Sequence, residues 1–98
     1  MSVVNQETVP MEALEEDIKR KVQDFILSHI LPGESRDNLK TALPLRTSGI
    51  LDSISTLRLI QFVEAQFDLE VSITDANTSN FNSIDSIAAY VIAKKANT

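Results

Sequence analysis

The sequence lacks cysteine and has a single histidine among its 98 residues. Without cysteine there is no disulfide framework, no thiolate nucleophile and no Cys-ligated zinc. A single imidazole, His29, gives little support for a hydrolase triad. Near a helix C-terminus, His29 is better explained as a cation that interacts favourably with the helix dipole. Neither G-x-S-x-G nor H-E-x-x-H nor a Gly-rich phosphate loop is present. We therefore expect a protein that is not an enzyme and that other enzymes act upon.

Long apolar runs and positive charge are also scarce. No stretch approaches the run of about 18 apolar residues that a membrane span requires, and the opening "MSVVNQETVP" lacks the basic and apolar regions of a signal peptide. Nine Lys and Arg against fourteen Asp and Glu give a formal net charge of −5, which repels nucleic-acid phosphates. We expect a cytoplasmic monomer with no membrane span and no nucleic-acid partner.

The apolar periodicity predicts a first helix from Pro10 to Ile30, ended by the breakers in "LPG" at residues 31–33. Its predicted inward stripe is Met11, Leu14, Ile18, Val22, Phe25, Ile26 and Ile30. Residues 31–52 then show no sustained period but contain several leucines, which predicts a long loop pinned by apolar contacts. Loops of this length in a small domain are more often functional than not.

A second helix is predicted from about Ser53 to Phe67, with Asp52 as its N-cap. Apolar residues recur there at helical spacing. The predicted inward stripe is Ile54, Leu57, Ile60, Val63 and Phe67, with Leu59 and Phe62 beside it.

The remaining segment has room for a short helix near residues 74–78 and a clear last helix that begins at Asn82 or Ser83. The inward stripe of the last helix is Ile84, Ile87, Ala88, Val91 and Ile92. With no strand-like alternation, the sequence predicts an all-α bundle of three substantial helices and a short fourth. We expect one domain at residues 10–95, a flexible segment at 1–9 and a tail at 96–98.

The polar pair Asp52 and Ser53 at the front of the second helix has two interpretations. Asp and Ser are common at helix starts for capping alone. The surroundings favour a functional role beyond capping, because a long loop and Gly49 precede the pair and bulky apolar residues flank it. A phosphodiester on an exposed first-turn serine would meet unpaired backbone N–H groups and the positive end of the helix dipole. We therefore predict that Ser53 carries a phosphate.

Three segments together, "GILDSI", "LIQFVEAQFDLEV" and "NSIDSIAAYVIAKK", resemble the carrier protein family of acyl, peptidyl and D-alanyl carriers. The resemblance covers roughly Met11 to Lys95 and implies a four-helix bundle of the acyl carrier protein type. It also implies that Ser53, after the motif neighbour Asp52, is the attachment point for 4′-phosphopantetheine, transferred from coenzyme A by a separate phosphopantetheinyl transferase. The reactive thiol then belongs to the arm, and the chain needs no cysteine.

The second helix departs from the fatty-acid carriers, which usually have acidic residues just after the serine and along this helix. Here the positions expected to be exposed are Ser55, Arg58, Gln61 and Ala65, and Glu64 is the acidic one. The predicted docking residues are Ile54, Leu57, Arg58, Gln61 and Glu64. Arg58 has two interpretations that stay open at this point, a partner-selecting charge and an ordinary solvated residue.

Two features favour a free-standing carrier of a specialised-metabolite pathway, of the polyketide or nonribosomal peptide type. They are the loss of acidic residues along the second helix and the sequence "GILDS" at the serine. The carrier's expected partners are a loading ligase, adenylation enzyme or acyltransferase, followed by synthase or tailoring enzymes. The alternatives are a fatty-acid or D-alanyl carrier and, from another class, an unmodified helical interaction module. The identity of the carried acyl or aminoacyl group is set by the loading enzyme and is not encoded here.

Overall fold

The computed structural model describes residues 11–76 and 79–96. The described residues form no strand and fold into four α-helices: α1 (Met11–Phe25), α2 (Ser53–Phe67), α3 (Ile73–Ala76) and α4 (Ile84–Ala96). Short 3₁₀ turns lie in the connections, at Arg36–Asn38 and Ser79–Phe81. The helical class predicted from periodicity is confirmed for this part of the chain. The predictions for residues 1–10, for the end of the third helix at 77–78 and for residues 97–98 lie outside the described residues.

The first helix packs against α4 and α2, and Ile18 and Val22 on α1 are buried, as is Ile26 directly after it. The turn that follows, Ile26–Ile30, widens to a π-helix that closes with the Leu31 N–H donating to the Ile26 carbonyl at 2.7 Å. Leu14, predicted to face inward, is instead 41% exposed, because the contact with the core begins one turn later, at Ile18.

The second helix has the predicted bounds, and three of its five predicted inward residues meet the core: Val63 is buried, and Ile60 and Phe67 are half-buried against it. Leu59 and Val63 are fully buried, whereas Ile54 and Leu57 are 66% and 55% exposed. The prediction that Ile54 and Leu57 point inward is therefore wrong. Because α2 carries apolar residues on more than one face, the periodicity alone does not choose which face is buried.

The connection at residues 31–52 belongs to the core. Leu39, Leu45 and Leu51 are buried in it. The Gln23 side chain on α1 donates from Nε2 to the Leu39 carbonyl at 2.7 Å, so the segment is fixed by polar as well as apolar contacts, as expected of a pinned loop.

The last helix is capped by Ser83, the second of the two predicted caps, whose Oγ accepts the Ser86 N–H at 3.0 Å. Its predicted stripe is confirmed: four members are buried and the last is half-buried. Phe81, in the preceding 3₁₀ turn, is also fully buried. In contrast, α3 buries no residue and begins at Ile73, one position before the predicted start. No helix within residues 11–76 and 79–96 has both the length and the apolar character needed to cross a bilayer.

Candidate functional site

Ser53 is the first residue of α2 and is exposed. Asp52, directly before it, has extended backbone geometry and caps the helix, its Oδ1 accepting the Ser55 N–H at 2.7 Å. This hydrogen bond from the Ser55 backbone, together with one from the Ser55 side chain, holds the pKa of Asp52 below its usual value. At neutral pH the serine hydroxyl therefore stands beside an ionised carboxylate that is already occupied as a cap.

A closed turn leads into the helix. The Leu51 N–H donates to the Leu45 carbonyl at 2.9 Å, and inside this turn the Gly49 N–H donates to the Arg46 carbonyl at 3.2 Å. Gly49 has φ +87°, a left-handed conformation that costs glycine little and strains residues with a Cβ. Because Leu45 and Leu51 are both buried, the turn fixes the position at which α2 begins.

Ser53 opens onto a cleft of about 790 Å³ between α2, the closed turn and the α3 region. The apolar part of its lining is contributed mainly by Leu57, Ile60, Ile73 and Ala76. The polar part includes Arg46, Thr47, Ser53, Thr56, Ser79 and Asn82. A molecule attached to the Ser53 hydroxyl would thus have a cavity with both polar and apolar walls directly beside it.

The far wall of the cleft, α3, is attached by hydrogen bonds rather than by buried side chains. The Ser72 Oγ accepts the Asp75 N–H at 3.1 Å at its start. From α4, the Tyr90 hydroxyl donates to Asp75 Oδ2 at 2.8 Å. Ile73 is 81% exposed at the rim. The cleft therefore has one firmly packed wall, α2, and one wall held by a few polar contacts.

The five predicted docking residues recur at helical spacing and so share one face of α2, whose two edges border different grooves. Ile54 and Leu57 are exposed beside Ser53, and Leu57 lines the cleft. Arg58 and Gln61 are exposed and line a second groove of about 420 Å³ at the other edge of this face. Glu64 is half-buried and its Oε2 accepts the Val71 N–H at 2.9 Å. Glu64 thus stabilises the chain after α2, and the exposed part of the predicted surface contains no acid.

The second groove also holds the only histidine of the sequence. The His29 ring stacks on Phe25, with ring centroids 4.8 Å apart, and Phe25 stacks on Phe62 at 4.4 Å. His29 does not line the cleft that contains Ser53. The described lining of that cleft therefore offers the Ser53 hydroxyl no imidazole base, and no group of three or more potential metal ligands occurs among the residues that the structure describes.

Comparison with known proteins adds no identification. No family model and no solved structure matches the chain.

The site is thus defined by its own residues, and sequence reasoning missed several of them: Arg46, Thr47, Ile73, Ser79 and Asn82. The one signal for the far wall was Ile73, the last of the alternating apolar residues Leu69, Val71 and Ile73. The sequence pattern does not predict that residues 46–47 and 79–82 lie near the start of α2, because this placement depends on how the loop packs.

Proposed function

We propose that the protein is a carrier that holds an acyl or aminoacyl group as a thioester on a 4′-phosphopantetheine arm attached to Ser53. The observation that carries the proposal is the placement of an exposed serine at the first position of a capped helix, opening onto a cleft. The carrier motifs in the sequence support it independently. On this proposal, the four helices are a bundle of the acyl carrier protein type.

The residues around Ser53 fit such a group. A phosphodiester needs a reachable hydroxyl, nearby donors or positive charge, and no buried carboxylate opposite it. Ser53 is exposed, Arg46 lines the same cleft, and the Asp52 carboxylate is turned to the Ser55 N–H as a cap. When attached, the arm supplies the thiol that forms the thioester.

Attachment makes one bond and breaks one bond. The Ser53 Oγ bonds to the phosphorus that bears pantetheine, the diphosphate bond of coenzyme A breaks, and adenosine 3′,5′-bisphosphate leaves. We assign removal of the hydroxyl proton to the transferase, since His29 lies in the other groove and the neighbouring Asp52 carboxylate has a lowered pKa. The chain contributes the hydroxyl and the cleft, and a separate phosphopantetheinyl transferase contributes the catalysis.

The pathway and partners follow from the surface around Ser53. Beyond the capping Asp52, the exposed predicted docking residues on α2 are apolar at Ile54 and Leu57 and basic at Arg58, while Glu64 is half-buried and accepts the Val71 N–H. An acidic docking stripe is therefore missing along α2. This favours a cytoplasmic, free-standing carrier served by its own loading ligase, adenylation enzyme or acyltransferase and by downstream synthase or tailoring enzymes, over a fatty-acid or D-alanyl carrier.

Loading of the purified chain tests the proposal. With coenzyme A, magnesium and a promiscuous phosphopantetheinyl transferase, the wild type should gain the mass of one phosphopantetheine. Ser53→Ala should gain none and should keep the wild-type far-ultraviolet dichroism, because Ser53 is exposed. Ser79→Ala is the matched control, since Ser79 is an exposed serine of the same cleft. An unchanged mass of the wild type would favour the unmodified interaction module instead.

A further inference from the structure

Arg46 is the one positively charged residue among the described residues that line the Ser53 cleft. It is exposed, and its guanidinium forms no ion pair within residues 11–76 and 79–96. The one acidic residue in the described lining, Asp52, is occupied by the Ser55 N–H. The positive charge of Arg46 is therefore available to an anion that enters the cleft.

The backbone at Arg46 is held in place on one side by Asn82. The Arg46 N–H donates to Asn82 Oδ1 at 3.0 Å, and the neighbouring Leu45 N–H donates to the Asn82 carbonyl at 2.6 Å. Leu45 is fully buried. The Cα of Arg46 is thus fixed, and its long side chain is the mobile part.

The closed turn fixes Arg46 relative to Ser53. The hydrogen bond from the Leu51 N–H to the Leu45 carbonyl, at 2.9 Å, joins the residue directly before Arg46 to the residue two positions before Ser53. Both side chains then line the same cleft. We attribute their shared place on the cleft to this backbone closure.

We infer that Arg46 binds the phosphodiester that loading places on Ser53 and so sets the direction in which the arm leaves the helix. This inference rests on the proposed function. Guanidinium groups pair well with phosphate oxygens. The diester would add a negative charge beside the ionised Asp52, and the Arg46 cation offsets that repulsion. An arm held at Arg46 starts along the cleft toward Leu57 and Ile60, rather than into solvent.

The experiment compares the loaded wild type with Arg46→Gln, Arg46→Lys and Arg58→Gln. Arg58→Gln is the matched control, because Arg58 is an exposed arginine on α2 that lines the other groove. The mass of each protein is first measured to establish that phosphopantetheine is attached. The ³¹P resonance of the phosphodiester is then recorded at low and high sodium chloride, since salt screens an exposed ion pair. Melting of the unloaded proteins shows whether each variant folds as the wild type does.

The wild type and Arg58→Gln should show a ³¹P shift that moves with salt, and Arg46→Gln should show the high-salt value at every concentration. Arg46→Lys should keep part of the response, because it keeps the charge without the fork of donors. If all four loaded proteins show the same change of ³¹P shift with salt, the role of Arg46 is overturned, while the proposed function is not. A wild type that takes no pantetheine mass would overturn the proposed function and this inference with it.

Discussion

The hydroxyl of Tyr90 on α4 donates a hydrogen bond of 2.8 Å to Asp75 Oδ2 on α3. Tyr90 is 8% exposed, and its ring lies 5.6 Å from that of Phe81, measured between centroids. Burial, and then the Asp75 carboxylate, raise the pKa of Tyr90 to about 12. The fold thus holds this hydroxyl in its neutral, donating form and uses it to attach the far wall of the Ser53 cleft.

The titration of Tyr90 can be followed directly, because the chain has one tyrosine and no tryptophan. Tyrosinate absorbance of the folded protein should rise with a midpoint near pH 12, compared with a pKa of 10.0 for an unperturbed tyrosine. Asp75→Asn should lower the midpoint without bringing it to the unfolded value, since burial remains.

The sign of the linked stability follows from the raised pKa. The contribution of Tyr90 is fully present below about pH 10 and is lost as the pH rises through about 12. Far-ultraviolet dichroism of the same samples separates titration from unfolding. A midpoint near 10 while the helical signal is intact would contradict the prediction.

Removing the hydroxyl should loosen α3 in particular. Tyr90→Phe keeps the ring against Phe81 and deletes one hydrogen bond, a loss of about 1 kcal/mol, or roughly fivefold in an opening equilibrium. Because α3 buries no residue, we expect the Asp75 and Ala76 amides to exchange with deuterium severalfold faster than in the wild type. The amides around Leu59, in the packed α2, serve as the internal reference. Equal acceleration in both helices would show a global loss of stability and not a local attachment.

The buried face of α2 can be tested with the same substitution at two positions. Leu59 is fully buried and Leu57 is 55% exposed. Leu59→Ala should lower the free energy of unfolding by about 2–5 kcal/mol, whereas Leu57→Ala should change it by no more than about 0.5 kcal/mol. Denaturant unfolding of both variants measures the difference. The opposite ranking would mean that the periodicity had chosen the correct face after all.

Helix positions followed from the sequence because each depends on local signals. Asp52 caps α2 and Ser83 caps α4, and both were found from residue type and the apolar run that follows. The buried side of α2 was predicted correctly at Val63 and wrongly at Ile54 and Leu57, since Leu57 and Leu59 are equally apolar and the choice depends on contacts with distant segments. The cleft depends on such contacts too: Arg46 reaches it because Asn82, far along the chain, accepts its N–H.

Charge reversal at Arg58 tests partner selection by the proposed carrier. Partners of acidic carriers present basic patches, which an exposed arginine repels. Arg58→Glu should improve loading by fatty-acid synthase enzymes severalfold at low salt and should weaken loading by the native ligase or acyltransferase, with both effects fading as salt rises.

Arg20→Glu on α1 is the matched control, being another exposed arginine without an ion pair in the described part of the chain. Initial loading rates of the wild type and both variants, at low and high salt, measure the effect. If the two reversals change the rates equally, Arg58 is an ordinary solvated residue and only net charge matters.

The backbone closure between Leu45 and Leu51 makes the exposed tip at Thr47 and Ser48 a place for inserting extra residues in protein engineering, provided that Gly49 and Ile50, which packs against the core, are kept. Both ends are buried and joined by the Leu51 N–H, so a longer peptide between them adds mainly loop entropy, which grows by about 0.6 kcal/mol for each doubling of length. An epitope or a fluorophore attachment sequence inserted at this point would lie in the segment that leads into Ser53, while every residue of α2 stays native.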